Sequence, residues 1–328
     1  MNKFPDSSRN QSIQIFRVIA IIAVVLIHTT PGGEWQVFCK PFINFAVATF
    51  IFLSGYLTKI DNDNWLAFYR KRIVRVAVPY LIWTLLYGLL DSPSVNVVSL
   101  VKNLLCANAS TTLYYVFVYI QFVLLTPLLG MLAKSRFRFT GWLIAPVSVI
   151  AFKYIPVFAD MPMGKHMELF WNDLCLGWFT FYYLGLLLGN KMIDRKFNLV
   201  TLVALYCVSL FLQIGEGYVW SLCDPAGCGS QLKLTALLSS SIFMLIIYVA
   251  LNIGTSCQRF QPLTVIGDYS FGIYLSHMMI LDGLKPLAFY DALPYPITSL
   301  IVLISSFLFC YLLTLITGRK AGRWLGLI

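Results

Sequence analysis

The chain has 328 residues, of which 59% are hydrophobic and only 12% charged. Soluble domains carry roughly a quarter charged residues, so a water-soluble fold with a polar coat is excluded, and the length suits one membrane bundle. The net charge of +10 sits in a chain too apolar to be a nucleic-acid binder; it fits Lys- and Arg-rich segments held against anionic lipid.

A bilayer core needs about 20 largely apolar residues per helix. In chain order such stretches lie at 13–30, 41–59, 76–92, 113–133, 139–158, 173–190, 197–215, 232–253, 263–281 and 296–317. They predict an all-α fold: a polytopic membrane helix bundle of about ten transmembrane helices, forming one domain over 1–328. A segment at 97–110 adds an interfacial helix. The first run ends in His28-Thr29-Thr30-Pro31-Gly32-Gly33 without the small-x-small pattern of a cleaved leader, so it counts as a span. No internal repeat or low-complexity segment stands out.

Orientation follows from charge. With the N-terminus inside, the inner segments collect Lys3, Arg9 and Arg17, then Lys59, Arg70, Lys71, Arg72 and Arg75. They continue with Lys134, Arg136, Arg138, Lys191, Arg195, Lys196, Arg259, Arg319, Lys320 and Arg323. The outer side keeps Lys40, Lys102, Lys153, Lys165, Lys233 and Lys285, and every arginine is inside. This bias predicts both termini in the cytoplasm and residence in the cytoplasmic (inner) membrane. The eight cysteines follow no paired metal spacing. Cys223 and Cys228 share one loop and can pair only where that loop faces an oxidising compartment.

Ionisable residues at membrane depth are costly and mark function by default. Arg17 and His28 lie on the first span, eleven residues apart. At about 1.5 Å per residue that is about 16 Å, three turns along roughly one face. His277, in the ninth span, is expected at the depth of His28, whereas His166 falls in an outer loop. A single histidine near a helix end is most often a polar residue at the lipid boundary. Two at one depth, one aligned with an arginine, favour a general base or proton carrier. No third ligand at useful spacing supports a metal, and no prosthetic group is expected.

The run Phe68-Tyr69-Arg70-Lys71-Arg72-Ile73-Val74-Arg75 is the second candidate. Arg70 and Lys71 read as headgroup anchors. Arg72 and Arg75, three apart, share a helix side, and with Arg17 they suit a phosphate-binding pocket, because guanidinium forks match phosphate oxygens. Ser54, in Phe52-Leu53-Ser54-Gly55-Tyr56, sits among small residues typical of close helix packing. Glu34, Glu168, Asp173 and Asp282 are the outer acids able to orient an imidazole, and the choice among them stays open.

The span from Arg17 to His28, an Arg followed by ten residues and a His, resembles the first-helix signature of the integral-membrane acyltransferase family 3. Further segments match in order. Phe52-Leu53-Ser54-Gly55-Tyr56-Leu57 resembles "FFxSGYL", and Arg72-Ile73-Val74-Arg75 resembles Arg-x-x-Arg. Leu125-Thr126-Pro127-Leu128 resembles "LTPxL", and Phe181-Tyr182-Tyr183-Leu184-Gly185 resembles "YFxLGY". Ser270-Phe271-Gly272-Ile273-Tyr274-Leu275-Ser276-His277 resembles "SFGIYLxH". Leu113-Tyr114-Tyr115-Val116-Phe117 departs from the family's "HLWFL".

The resemblance implies O-acylation of a saccharide hydroxyl, on a polysaccharide or a lipid-linked glycan, with acetyl-CoA as donor substrate. It implies that His28 is the base or acyl relay and that His277 polarises or positions. It places the CoA phosphates on Arg72, Arg75 and Arg17; Ser54, Tyr274, Glu34 and Asp173 are the supporting candidates among the residues themselves. Some proteins with this helix pattern are named as polysaccharide exporters, so export of a saccharide or lipid-linked glycan is the competing expectation.

Overall fold

The computed structural model describes residues 6–91, 97–159, 161, 171, 173–193, 195–253 and 261–328. His166 and Glu168 lie outside them, as do Lys165, Cys257 and Arg259. Among the described residues there is no strand. Eight helical stretches among the described residues are long and apolar enough to cross a bilayer: Gln11–Thr29, Glu34–Tyr56, Trp65–Asp91, Tyr114–Lys134, Arg138–Phe158, Leu199–Cys223, Leu234–Ile253 and Ile297–Trp324. The chain is therefore a multi-pass helical membrane protein.

The main helices, in order, are α1 (Asp6–Thr29), α2 (Glu34–Phe38), α3 (Phe45–Tyr56), α4 (Trp65–Asp91), α5 (Val97–Cys106) and α6 (Tyr114–Lys134). They continue with α7 (Ile144–Val149), α8 (Ile155–Phe158), α9 (Phe179–Gly189), α10 (Leu199–Cys223) and α11 (Leu234–Ile253). The last are α12 (Gln261–Asp268), α13 (Ser270–Leu284), α14 (Ala288–Asp291) and α15 (Ile297–Trp324). The segment at 97–110 contributes the separate helix α5.

Two of the ten expected spans fall short of full crossing length. The stretch at 173–190 becomes Cys175–Gly189, a 3₁₀ turn over Cys175–Trp178 followed by α9. At about 1.5 Å per residue it covers about 22 Å, less than the roughly 30 Å of a hydrocarbon core. The stretch at 263–281 is cut at Tyr269, whose φ of −86° and ψ of 1° separate α12 from α13. A third difference concerns α4. The expected span begins at 76, but the helix begins at Trp65, so the basic run and the apolar span are one rod.

Contacts gather the chain into two compact units. The first comprises Met1–Asp61, Thr126–Gly164 and Leu176–Gly267. Its centre is α3 against α9, with α1 and α11 also on α3, and α10 on α11. Small residues make the centre: Gly55, Gly185 and Gly189 each lie so close to the facing backbone that an added Cβ would collide with a carbonyl oxygen, of Tyr182, Phe52 and Tyr56 respectively. Without a hydrophobic drive between helices in lipid, such close approach gains dispersion contacts. The end of α9 is tied by Asn190, whose Nδ2 donates to the Thr58 carbonyl at 2.8 Å. Lys59 Nζ donates to the Gly189 carbonyl at 3.3 Å, a cation at a helix C-terminus.

Three of the lysines expected on the outer side are used inside this unit. Lys153 donates to Ser230 Oγ at 2.7 Å, Lys40 to Gln36 Oε1 at 3.1 Å, and the buried Lys233 to the Cys228 carbonyl. Glu216 accepts from the Tyr154 and Thr235 hydroxyls. Cys223 and Cys228 are both free thiols, the first exposed and the second buried.

The second unit comprises Asn62–Leu125, Lys165–Cys175 and Asp268–Ile328. One face of α4 organises it through aromatic side chains at i, i+3 and i+7. Tyr80 donates to the Leu104 carbonyl at 2.6 Å, Trp83 Nε1 to the Leu325 carbonyl at 3.0 Å, and Tyr87 to the Leu275 carbonyl at 2.7 Å. Tyr87 also accepts from the Met279 N–H at 3.2 Å. Each ring buries apolar area while its polar atom satisfies a main-chain carbonyl.

Candidate functional site

The chemistry-bearing residues divide between the units. Arg17 and His28 belong to the first, both on α1 and both half-buried. Arg17 Nη1 donates to Gln14 Oε1, one turn earlier, at 3.5 Å. His28 stands in the last turn. Thr29 and Thr30 after it return their hydroxyls to the Val25 and Leu26 carbonyls at 2.8 and 2.7 Å, which satisfies acceptors that a helix end leaves open. Glu34 opens α2 beyond Gly33 (φ 67°) and is exposed. Ser54 is in α3, and its carbonyl accepts from Thr58 Oγ1 at 2.7 Å.

In the second unit, His277 is fully buried in α13. Its Nδ1 lies 3.0 Å from the Ile273 carbonyl oxygen and 2.8 Å from that of Tyr274. Carbonyl oxygens only accept, so Nδ1 carries the hydrogen and Nε2 keeps the lone pair in the neutral ring. The orientation comes from the helix's own backbone, three and four residues back. Tyr274 is also buried, with its ring edge-on to Tyr115 at 5.4 Å and 6.2 Å from the His277 ring.

Asp173 precedes the apolar helix Cys175–Gly189 and lies outside it. Gln121 of α6 pins this stretch, donating to the Asp173 carbonyl at 2.6 Å and accepting from the Cys175 N–H at 3.0 Å. Burial pushes the Asp173 carboxyl up to about 6, because a low-dielectric surrounding disfavours the charged form.

The basic run gives this unit its most distinctive surface. An open groove of about 1000 Å³ is lined by Arg70, Lys71 and Arg75 of α4 and by Lys320, Arg323 and Trp324 of α15. All five cations are exposed. Among the described residues the ion pairs are Lys134 with Asp61 and Lys285 with Asp282, so no carboxylate neutralises the groove. Arg72 is placed differently from Arg75: its guanidinium lies over the Phe68 ring at 5.2 Å, a cation–π contact.

In the sequence Arg70 and Lys71 read as anchors, Lys320 and Arg323 bear only on topology, and Trp324 carries no signal of its own. The one linear signal was the three-residue spacing of Lys320 and Arg323, the same as that of Arg72 and Arg75.

A family model described as an acyltransferase domain matches residues 10–315. The chain is 22% identical over 265 residues to a protein of Staphylococcus aureus (strain MSSA476) named "Probable poly-beta-1,6-N-acetyl-D-glucosamine export protein". That match covers 76% of this chain and 72% of the relative. A Staphylococcus epidermidis protein of the same name is 23% identical over 264 residues, covering 76% of this chain and 71% of the relative. No solved structure matches. With a family match that takes in α1 through most of α15, on a polytopic helical framework, the chain belongs to the integral-membrane acyltransferase family 3.

Proposed function

We propose that the protein transfers an acetyl or other acyl group from cytoplasmic CoA thioester to a hydroxyl of a saccharide, either a polysaccharide or a lipid-linked glycan. The observation that carries this reading is the cationic groove at Arg75, found in a chain of an acyltransferase family. A CoA thioester brings phosphates to be neutralised, and guanidinium and ammonium groups without carboxylate partners are suited to them. Arg17, Arg72 and Arg75 are the donor-binding residues in this proposal.

His28 is the base. Its imidazole takes the proton of the acceptor hydroxyl as the oxygen attacks the thioester carbonyl. The tetrahedral intermediate then expels the CoA thiolate, which takes the proton back from the imidazolium. In the relay variant His28 itself carries the acyl group between donor and acceptor. General-base catalysis of this kind contributes about 10²–10⁴-fold. His277 polarises or positions, supported by Tyr274, Ser54, Glu34 and Asp173. Both termini are cytoplasmic in this reading, and the protein resides in the cytoplasmic membrane.

The name of the staphylococcal relatives favours a second reading, export of a saccharide, in which the histidines relay protons and the arginines form an anion gate. One experiment separates the two. Purified protein in lipid nanodiscs receives acetyl-CoA labelled in the acetyl group and β-1,6-linked N-acetylglucosamine oligomers. Acyl transfer is expected to leave alkali-labile label on a saccharide and to be abolished by His28→Ala at unchanged folding. Arg75→Ala should raise the KM for acetyl-CoA about tenfold or more while acceptor KM holds, since a charge-assisted hydrogen bond contributes about 1.5–3 kcal/mol. If the wild type neither binds nor turns over acetyl-CoA, yet carries the oligomer across a proteoliposome membrane, export replaces transfer.

A further inference from the structure

α15 is not one straight rod. Gly318 leaves helical geometry at φ 81° and ψ 159°, the left-handed half of φ that side chains with a Cβ rarely adopt. Beyond it, residues 319–324 form a hook. The hook is fastened at several points within the second unit. Trp83 Nε1 donates to the Leu325 carbonyl at 3.0 Å. Gly326, at φ 71°, is so close to Pro79 that an added Cβ would stand 2.7 Å from the Pro79 Cβ. At Gly272 an added Cβ would meet the Leu327 carbonyl oxygen at 2.6 Å. These contacts hold Lys320, Arg323 and Trp324 in the groove opposite Arg70, Lys71 and Arg75.

A headgroup anchor has no use for such fastening, because a flexible cation reaches anionic lipid from any orientation. A fixed second wall suits a ligand with several phosphates at set distances. The five cations repel one another with no carboxylate between them, which a polyanion relieves. About 1000 Å³ lies at the upper end of the range for small-molecule sites. Trp324, 53% exposed, offers a flat aromatic face for a planar ring.

We infer that this hook binds the phosphorylated nucleoside end of the CoA donor, Lys320 and Arg323 taking its phosphates and Trp324 stacking on its adenine. The inference rests on the acyl-transfer reading and adds the donor's recognition wall to it. The shared chemistry with lipid is the phosphate group, so the test has two arms. Binding of CoA and of adenosine 3′,5′-bisphosphate is measured by calorimetry in nanodiscs of phosphatidylcholine, then in nanodiscs containing phosphatidylglycerol. The variants are Trp324→Ala and the double substitution Lys320→Ala with Arg323→Ala, both at exposed positions, with monodispersity on size exclusion as the folding control.

In phosphatidylcholine the double variant is expected to bind both ligands at least about tenfold more weakly, consistent with losing a charge-assisted contact. Trp324→Ala should weaken adenosine 3′,5′-bisphosphate more than inorganic pyrophosphate. Weak CoA binding in Arg75→Ala, combined with wild-type affinity in both hook variants, removes the hook and leaves the acyl-transfer reading standing. No CoA binding by the wild type in phosphatidylcholine overturns both. If, in addition, phosphatidylglycerol enrichment around the protein is lost in the double variant, the groove is a lipid-headgroup site.

Discussion

Gly185 and Phe52 meet backbone to backbone: a Cβ added at Gly185 would collide with the Phe52 carbonyl oxygen and stand 2.8 Å from the Tyr56 nitrogen. Neither partner atom belongs to a side chain that can swing away. Gly185→Ala therefore forces α3 and α9 apart along the seam that centres the first unit. Overpacking costs about 1–3 kcal/mol when side chains can adjust, and the upper end is expected here. Thermal scans in detergent check this against Gly215→Ala, where nothing lies within 4 Å of an added Cβ and stability should hold.

The tautomer of His277 yields a sharper test than deletion. His277→Asn keeps an N–H donor near the Ile273 and Tyr274 carbonyls but removes the basic Nε2. The expected outcome is an unchanged melting temperature with acyl transfer reduced about 10²-fold or more. Full activity in the Asn variant would show that Nε2 takes no part and that the ring is a packing residue.

Asp173 makes a prediction about pH. Its carboxyl, raised by burial to about 6 from an ordinary value of about 3.9, holds a proton more tightly in the folded protein than in the unfolded one. The folded state binds more protons between those values, so this contribution to stability is full below about pH 4 and is lost as pH rises through about 6. Asp173→Asn should flatten the stability profile across that window and raise the melting temperature at pH 7. An Asn variant with the wild-type slope would assign the slope to another group.

Cys223 reports sidedness without any added probe site. It is exposed and carries a free thiol, whereas Cys228 is buried. A membrane-impermeant maleimide applied to intact cells should label the protein, and Cys223→Ser should reduce that label. Labelling at Cys223 only after cells are opened would reverse the proposed orientation.

Much of the fold was legible because apolar runs near bilayer length have no alternative use in a chain this hydrophobic. The spans at 113–133, 139–158 and 232–253 coincide closely with helical stretches of the structure. Tyr269 was not legible as a break, since it is neither glycine nor proline and its bridge-region backbone is set by the surrounding packing. Nor did hydropathy place the start of α4, because the basic run is polar but fully helical. The nitrogen chemistry of His277 was hidden for another reason: the carbonyls that orient it are backbone groups, which every sequence possesses.

The hook was hidden most completely. A glycine within a long apolar pattern reads as a small packing residue, and only its φ tells that the chain turns at 318. Arg75 and Arg323 are separated by about three-quarters of the chain, so no local pattern joins them. Their conjunction is a property of the topology of the second unit.

The length of α4 has a mechanical consequence. Its 27 residues span about 40 Å at about 1.5 Å each. The basic run takes up one end, so the apolar part from 76 to 91 covers about 24 Å, less than the hydrocarbon thickness of about 30 Å. A hydrophobic stretch shorter than its bilayer is met by local thinning and by snorkelling of the flanking cations. Because Tyr80, Trp83 and Tyr87 fasten α4 to α5, to the C-terminal segment and to α13, it does not shift alone. The thickness of the membrane thus acts on the second unit as a lever, and acyl-chain length in the surrounding lipid becomes a variable of the protein's own conformation.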